Sequence, residues 1–219
     1  MCFSAEADLV GGAVIVAIGV DALRHIRSPQ QRPIAALPLM FGLHQLVEAF
    51  VWWGLQGKVP AGLGRAAMWV YLVFAFLVLP LYVPLAVRRL ELSTARRLAM
   101  LPFAVLGLAV TVFLAVAMAS GPVTVELAGR HLAYGIGLQY SFLVVGLYVV
   151  ATCGALMISS VRSVAAFGVL NLVVVAALAW FQGDGLASMW CAWAAVTSAA
   201  IVVHLSLSSR AAPAVTAIA

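Results

Sequence analysis

Of 219 residues, 65% are apolar and only 9% charged, with a formal net charge of +5. So little polar surface cannot cover a soluble globule of this length, so the composition marks an all-α integral membrane protein. The basic residues cluster at the ends of apolar blocks, which excludes a nucleic-acid footprint and points to contact with the lipid bilayer at its cytoplasmic leaflet.

In chain order, the blocks bounded by charge clusters and Pro/Gly breaks are Leu9–Ile26, Pro33–Leu55, Leu63–Val87, Leu98–Ala119, Leu132–Ala155, Val164–Phe181 and Leu186–Ser208. Each is near the roughly 20 residues that cross a bilayer as helix. The spacing predicts a seven-transmembrane-helix bundle over 1–208 and a short frayed cytoplasmic tail over 209–219. Ser4 is placed to cap the first helix, and Glu6 and Asp8 in its first turn complement the helix dipole. Asp21 and Arg24 can pair at its far end. Pro80 and Pro84 should kink the third helix. The longest external connection, Ser120 to His131, carries Ala128 and Gly129 where a small hairpin can turn over the bundle mouth.

Orientation follows from the basic residues. Arg24, Arg27, Arg32, Arg88, Arg89, Arg96, Arg97, Arg162 and Arg210 fall on one side of the seven-helix path, and Lys58, Arg65 and Arg130 on the other. The positive-inside rule then sets the N-terminus outside and the C-terminus in the cytoplasm.

The second helix carries the chemistry. His44 and Glu48 lie four residues apart on one helical face, with Gln45 beside them. In hydrocarbon such groups cost about several kcal/mol unless they meet a partner, a metal or water. At about 1.5 Å per residue, His44 sits near mid-membrane and Glu48 roughly 6 Å nearer the outside. Helix seven brings Trp190, Cys191 and Trp193 to that outer half, and helix five brings Gln139 and Tyr140. His204 falls near the cytoplasmic interface, too deep to meet His44. Trp52, Trp53, Trp69, Tyr71 and Trp190 read as an outer aromatic rim. The expected site is an outward-opening pocket lined by His44, Gln45, Glu48, Trp52, Gln139, Tyr140 and Trp190 and closed by the Cys2 segment. Cys2, His44 and Glu48 are ligand types for zinc, and thiolate with imidazole also suits copper. The structural alternative is that His44 and Glu48 form a polar clasp between helices, with Cys153 and Cys191 as small packing residues.

The opening Met1, Cys2, Phe3, Ser4 and Ala5, followed about one helix later by His44, Gln45, Glu48 and Trp52, resembles a family of bacterial seven-helix membrane proteins of unknown function. The likeness extends over the chain in size and helix count. It implies a shared site in a multi-pass protein of the inner (plasma) membrane, without naming an activity. A remoter analogy is to the alkaline ceramidases and adiponectin-type receptors, seven-helix hydrolases with a Ser, an Asp and three His around zinc. The chain departs from that pattern, with His204 alone on helix seven, Ala200 and Ser208 where an HxxxH partner would stand, and no Asp in helix three.

Several classes are excluded by what the sequence lacks. Lys58 is the only lysine, so helix seven offers no retinal Schiff base; no haem-attachment motif, Walker loop or arginine-rich voltage-sensor helix occurs. No polar stripe runs the length of a helix, which argues against a channel. Two functions remain. One is an enzyme acting on a lipid or small molecule, with His44 or Glu48 as general base, on its own or on a metal-bound water. The other is a non-enzymatic sensor or proton-coupled permease that uses His44 and Glu48 as its titrating relay.

Overall fold

In the computed structural model, residues 4–24, 26, 28–129, 131–138, 141–181 and 188–199 are described, and seven helices make up most of them. Helix α1, Ala5–Arg24, begins at Ser4, whose Oγ accepts the Ala7 N–H at 3.2 Å, the expected cap. A 3₁₀ turn, Pro29–Gln31, leads into α2, Arg32–Leu55. The two helices touch backbone to backbone: a Cβ on Gly19 would stand 2.3 Å from the Leu39 nitrogen, and one on Gly42 would stand 2.6 Å from that of Val16. Small residues at a crossing permit this approach, which dispersion then rewards. The face of α1 turned inward runs through Ala5, Asp8, Gly12, Ile15, Gly19 and Ala22, at helical spacing.

Helix α3 runs over Ala61–Leu90 and contains a π-helical segment, Val73–Val78. Where a kink was expected at Pro80 and Pro84, the helix carries this widened turn ahead of Pro80. Pro80 has no N–H to offer the Phe76 carbonyl, so the ladder opens ahead of it. Neighbouring helices satisfy carbonyls of the widened turn: Tyr148 Oη donates to Ala75 O at 2.7 Å and Thr111 Oγ1 to Leu77 O at 3.0 Å. Helix α4 follows over Thr94–Ser120, with a turn at Met100.

The hairpin forms as expected from Ala128 and Gly129. Strand β1, Thr124–Ala128, pairs antiparallel with β2, His131–Gly135, with Ala128 opposite His131. This corrects the fifth expected block, which began at Leu132. Leu132 is a fully buried strand residue, and Gly137 at φ +64° holds a backbone conformation that a right-handed helix does not use. Helix α5 therefore starts later, at Ser141, and runs to Met157 through a second π segment, Val150–Gly154. Helix α6 is Arg162–Phe181, and α7 covers 188–199. His25, Asp184, His204 and the tail lie outside the described residues.

Pro29–Leu55, Ala61–Leu90, Thr94–Ser120 and Arg162–Trp180 are each long and apolar enough to cross a membrane. Helices α4 and α6 turn apolar side chains outward, with Val105 65% and Val173 60% exposed, as a lipid-facing surface requires and an aqueous one penalises. At the end of the bundle away from the hairpin, the buried Glu91 joins two loops. Its Oε1 accepts from Ser159 Oγ and the Ser160 N–H, each at 2.8 Å, and its backbone oxygen accepts from Arg97 Nε at 2.7 Å. Burial pushes the Glu91 carboxyl up, but the bonds from Ser160 and Ser159, with Arg96 nearby, outweigh it and hold the group below the usual carboxylate range.

Candidate functional site

Glu48 is the centre of the polar cluster. It is fully buried, and side chains from three other elements converge on it. Ser188 Oγ, in the first turn of α7, donates to Glu48 Oε1 at 2.6 Å, and Tyr134 Oη, from β2, reaches the same oxygen at 3.5 Å. Gln45 Nε2, one turn earlier on α2, donates to Oε2 at 3.4 Å. Tyr71 of α3 also turns its side chain to this carboxylate.

The second carboxylate in the cluster is Asp8, which sequence reasoning assigned to the helix dipole. That role fits Glu6, which is exposed and lies 3.7 Å from Lys58 Nζ. Asp8 instead is fully buried, faces Glu48, and has the Trp52 indole turned toward it. Among the described residues, neither Asp8 oxygen, nor Gln45 Oε1, nor Trp52 Nε1 has a hydrogen-bond partner, and neither carboxylate enters an ion pair. A signal for Asp8 was present in the sequence: it falls on the small-residue stripe with Gly12 and Gly19, the face that a closely packed helix presents to its neighbour.

His44 has a different environment from Glu48. Its ring stacks on Tyr71 at 4.0 Å and lies 4.5 Å from Phe74, and Tyr71 in turn stacks on Tyr134 at 4.4 Å. Among the described residues His44 Nε2 has no hydrogen-bond partner. The expected His44–Glu48 pair is thus two neighbours in one buried face, one held by rings and the other by hydroxyls. The expected aromatic rim is also partly interior, since Trp52 and Tyr71 are buried.

Cys2 lies outside the described residues. Among those described, no three His, Cys, Asp or Glu side chains form a group that would hold a metal ion, and the expected zinc or copper set of Cys2, His44 and Glu48 lies partly outside them. Cys153 and Cys191 are buried free thiols, as their packing role requires.

Beside the polar cluster is a cavity of about 390 Å³, walled by α3, α4, α5, α7 and the segment leaving β2. Of the residues expected to line a pocket, Trp190 does so; His44, Gln45, Glu48 and Trp52 do not. Gln139 and Tyr140 are outside the described residues, between Leu138 and Ser141, which are both in the wall. Pocket and polar cluster are therefore two adjoining features, and Tyr134 belongs to both. Tyr134 and Ser188 were not foreseen, because one was assigned to a helix and the other is a small polar residue at the start of an apolar one.

No curated protein and no solved structure matches this chain. A family model does, over residues 1–217, and the agreement across nearly the whole length shows that the chain belongs to DUF6629, a family of unknown function.

Proposed function

We propose that this is a seven-span membrane protein, N-terminus outside, in which Asp8 and Glu48 share a proton that is gained or released as a small molecule binds in the adjoining cavity: a proton-coupled permease or sensor. The observation that carries this reading is the burial of two facing carboxylates that enter no ion pair among the described residues. Two like charges desolvated side by side are unfavourable by more than a protein of this size tolerates, so one proton between them is the low-energy state. Such a pair titrates as a unit. Among the described residues, the groups facing it are Gln45 and Trp52 on α2, Tyr71 on α3, Tyr134 on β2, and Ser188 and Cys191 on α7. In the orientation set by the arginines, the pair occupies the outer half of an inner (plasma) membrane bundle.

Trp52, which faces Asp8, is the built-in reporter. The part of the purified protein's fluorescence that Trp52→Phe removes should titrate with pH, and the titration should vanish in both Asp8→Asn and Glu48→Gln. A signal that titrates unchanged in both variants would remove the proton site.

A second reading rests on one contact, the 2.6 Å approach of Ser188 Oγ to Glu48 Oε1. A hydroxyl held by a carboxylate is the arrangement of a nucleophile with its general base, so an enzyme acting on a lipid or small molecule is the alternative. Labelling of Ser188 by an alkyl fluorophosphonate, lost in Glu48→Gln, would favour it over the first reading.

A further inference from the structure

The cavity beside the carboxylates has a polar end and an apolar remainder. Phe76, Leu114, Ile136, Val144 and Val145 supply the apolar walls. Three of the polar side chains in the wall already have partners: Tyr148 Oη donates to Ala75 O at 2.7 Å, Trp190 Nε1 donates to Asn171 Oδ1 at 3.3 Å, and Tyr134 Oη reaches Glu48 Oε1 at 3.5 Å. The hydroxyls of Tyr134 and Ser141 lie toward the hairpin end, where β2 leaves the sheet and α5 begins. Among the described residues, no Lys, Arg, Asp or Glu is in the wall.

Access is apolar too. Ser141 is exposed, and the next two residues, Phe142 and Leu143, are 87% and 62% exposed. Neither lines the cavity, but in a membrane large apolar side chains exposed beside Ser141 face lipid rather than water. At roughly 30 Å³ per water-sized group, 390 Å³ holds about a dozen such groups. Beyond Tyr148, Trp190 and Cys191 lies a smaller void of about 50 Å³, lined by Leu37, Phe41, Phe167 and others, which shares those three residues with the main cavity. Tyr148 and Trp190 pack edge to face at 5.2 Å and close the floor between the two spaces.

We infer that the cavity takes an uncharged single-chain amphiphile of about ten carbons that enters from the bilayer. Its chain lies along Phe76, Leu114 and Val144, and its hydroxyl or amide end lies by Ser141 and Tyr134. Charged ends are disfavoured because the described wall offers no counter-charge and the carboxylates behind Tyr134 would repel an anion. The Tyr148–Trp190 floor sets the chain length. This names the ligand class for the site proposed above and rests on that reading only for the link to the proton, which Tyr134 makes by lining the cavity and reaching Glu48.

The test is binding of tritiated 1-decanol to the full-length protein in phosphatidylcholine nanodiscs, above the background of protein-free discs. Saturable binding is expected, displaced by unlabelled decanol and far less by decanoate or decylammonium. Val144→Trp should weaken it at least about tenfold by filling the cavity, whereas Val112→Trp, on the outward face of α4, should leave it unchanged. If Val144→Trp does not fold, Leu114→Phe blocks the opposite wall. No saturable binding, or equal binding in the blocked and outward-facing variants, overturns the inference. Decanol binding without a change in the Trp52 titration upholds the ligand site and removes its coupling to the proton. A Trp52 titration lost in Glu48→Gln, with no decanol bound by any form, leaves the proton reading and removes this one.

Discussion

Asp8 on α1 and Glu48 on α2 are fully buried carboxylates that face each other where their helices meet through glycine. Their energetics are therefore those of a coupled pair, while His44, stacked on Tyr71, belongs to a neighbouring but separate arrangement.

A double-mutant cycle separates the two. Asp8→Asn with Glu48→Gln should show a coupling energy of about 0.5–3 kcal/mol in unfolding, whereas His44→Leu with Glu48→Gln should be close to additive. The double change Asp8→Leu with Glu48→Leu should keep or raise stability, as apolar replacement of buried polar groups often does, and abolish the Trp52 titration. Additive effects for Asp8 and Glu48 would mean that they do not sense each other.

The α1–α2 crossing predicts a steric limit. Gly19→Val should destabilise by about 1–3 kcal/mol because even its Cβ collides with the Leu39 backbone, while Gly62→Ala, which meets nothing within 4 Å, should be neutral or slightly stabilising. Thermal unfolding of the two variants in one detergent measures the difference. Equal midpoints would show that the helices stand further apart.

Glu91 predicts a pH dependence. Its carboxyl is held below its ordinary range, so its contribution is present above the unfolded-state value and is lost as pH falls through the folded-state value. Glu91→Gln should destabilise at neutral pH by about 1–3 kcal/mol, because a neutral amide oxygen accepts the Ser159 and Ser160 bonds without the charge that strengthens them. The gap between wild type and variant should narrow on acidification. A constant gap would show that the charge contributes nothing.

Topology is tested with single cysteines. In a background with the native cysteines replaced, Leu127→Cys on the exposed hairpin should react with an impermeant maleimide from outside intact cells, and Arg89→Cys should react only after lysis. The reverse pattern would turn the protein over and bring the carboxylate pair to the cytoplasmic half.

The helix blocks, the Ser4 cap, the hairpin at Ala128 and Gly129, and the burial of His44, Gln45 and Glu48 were legible in the sequence. Each depends on local order: the length of an apolar run, a capping side chain, a turn-forming pair, or the cost of a polar group in an apolar segment. The start of α5 was not legible, because Leu132–Leu138 is as apolar as a helix, and only pairing with β1 gives its backbone another partner.

What the sequence alone determined is a helical chain with segments long and apolar enough to cross a membrane, and the position of polar groups along each helix. Only the tertiary structure decided which groups meet. Periodicity assigns Asp8 to a face of α1 but says nothing of what that face touches; the neighbour is chosen by the fit of Gly12, Gly19 and Gly42. Tyr134 and Ser188 reach Glu48 from residues 86 and 140 positions away, and a contact of that range arises from helix packing, which no local pattern encodes.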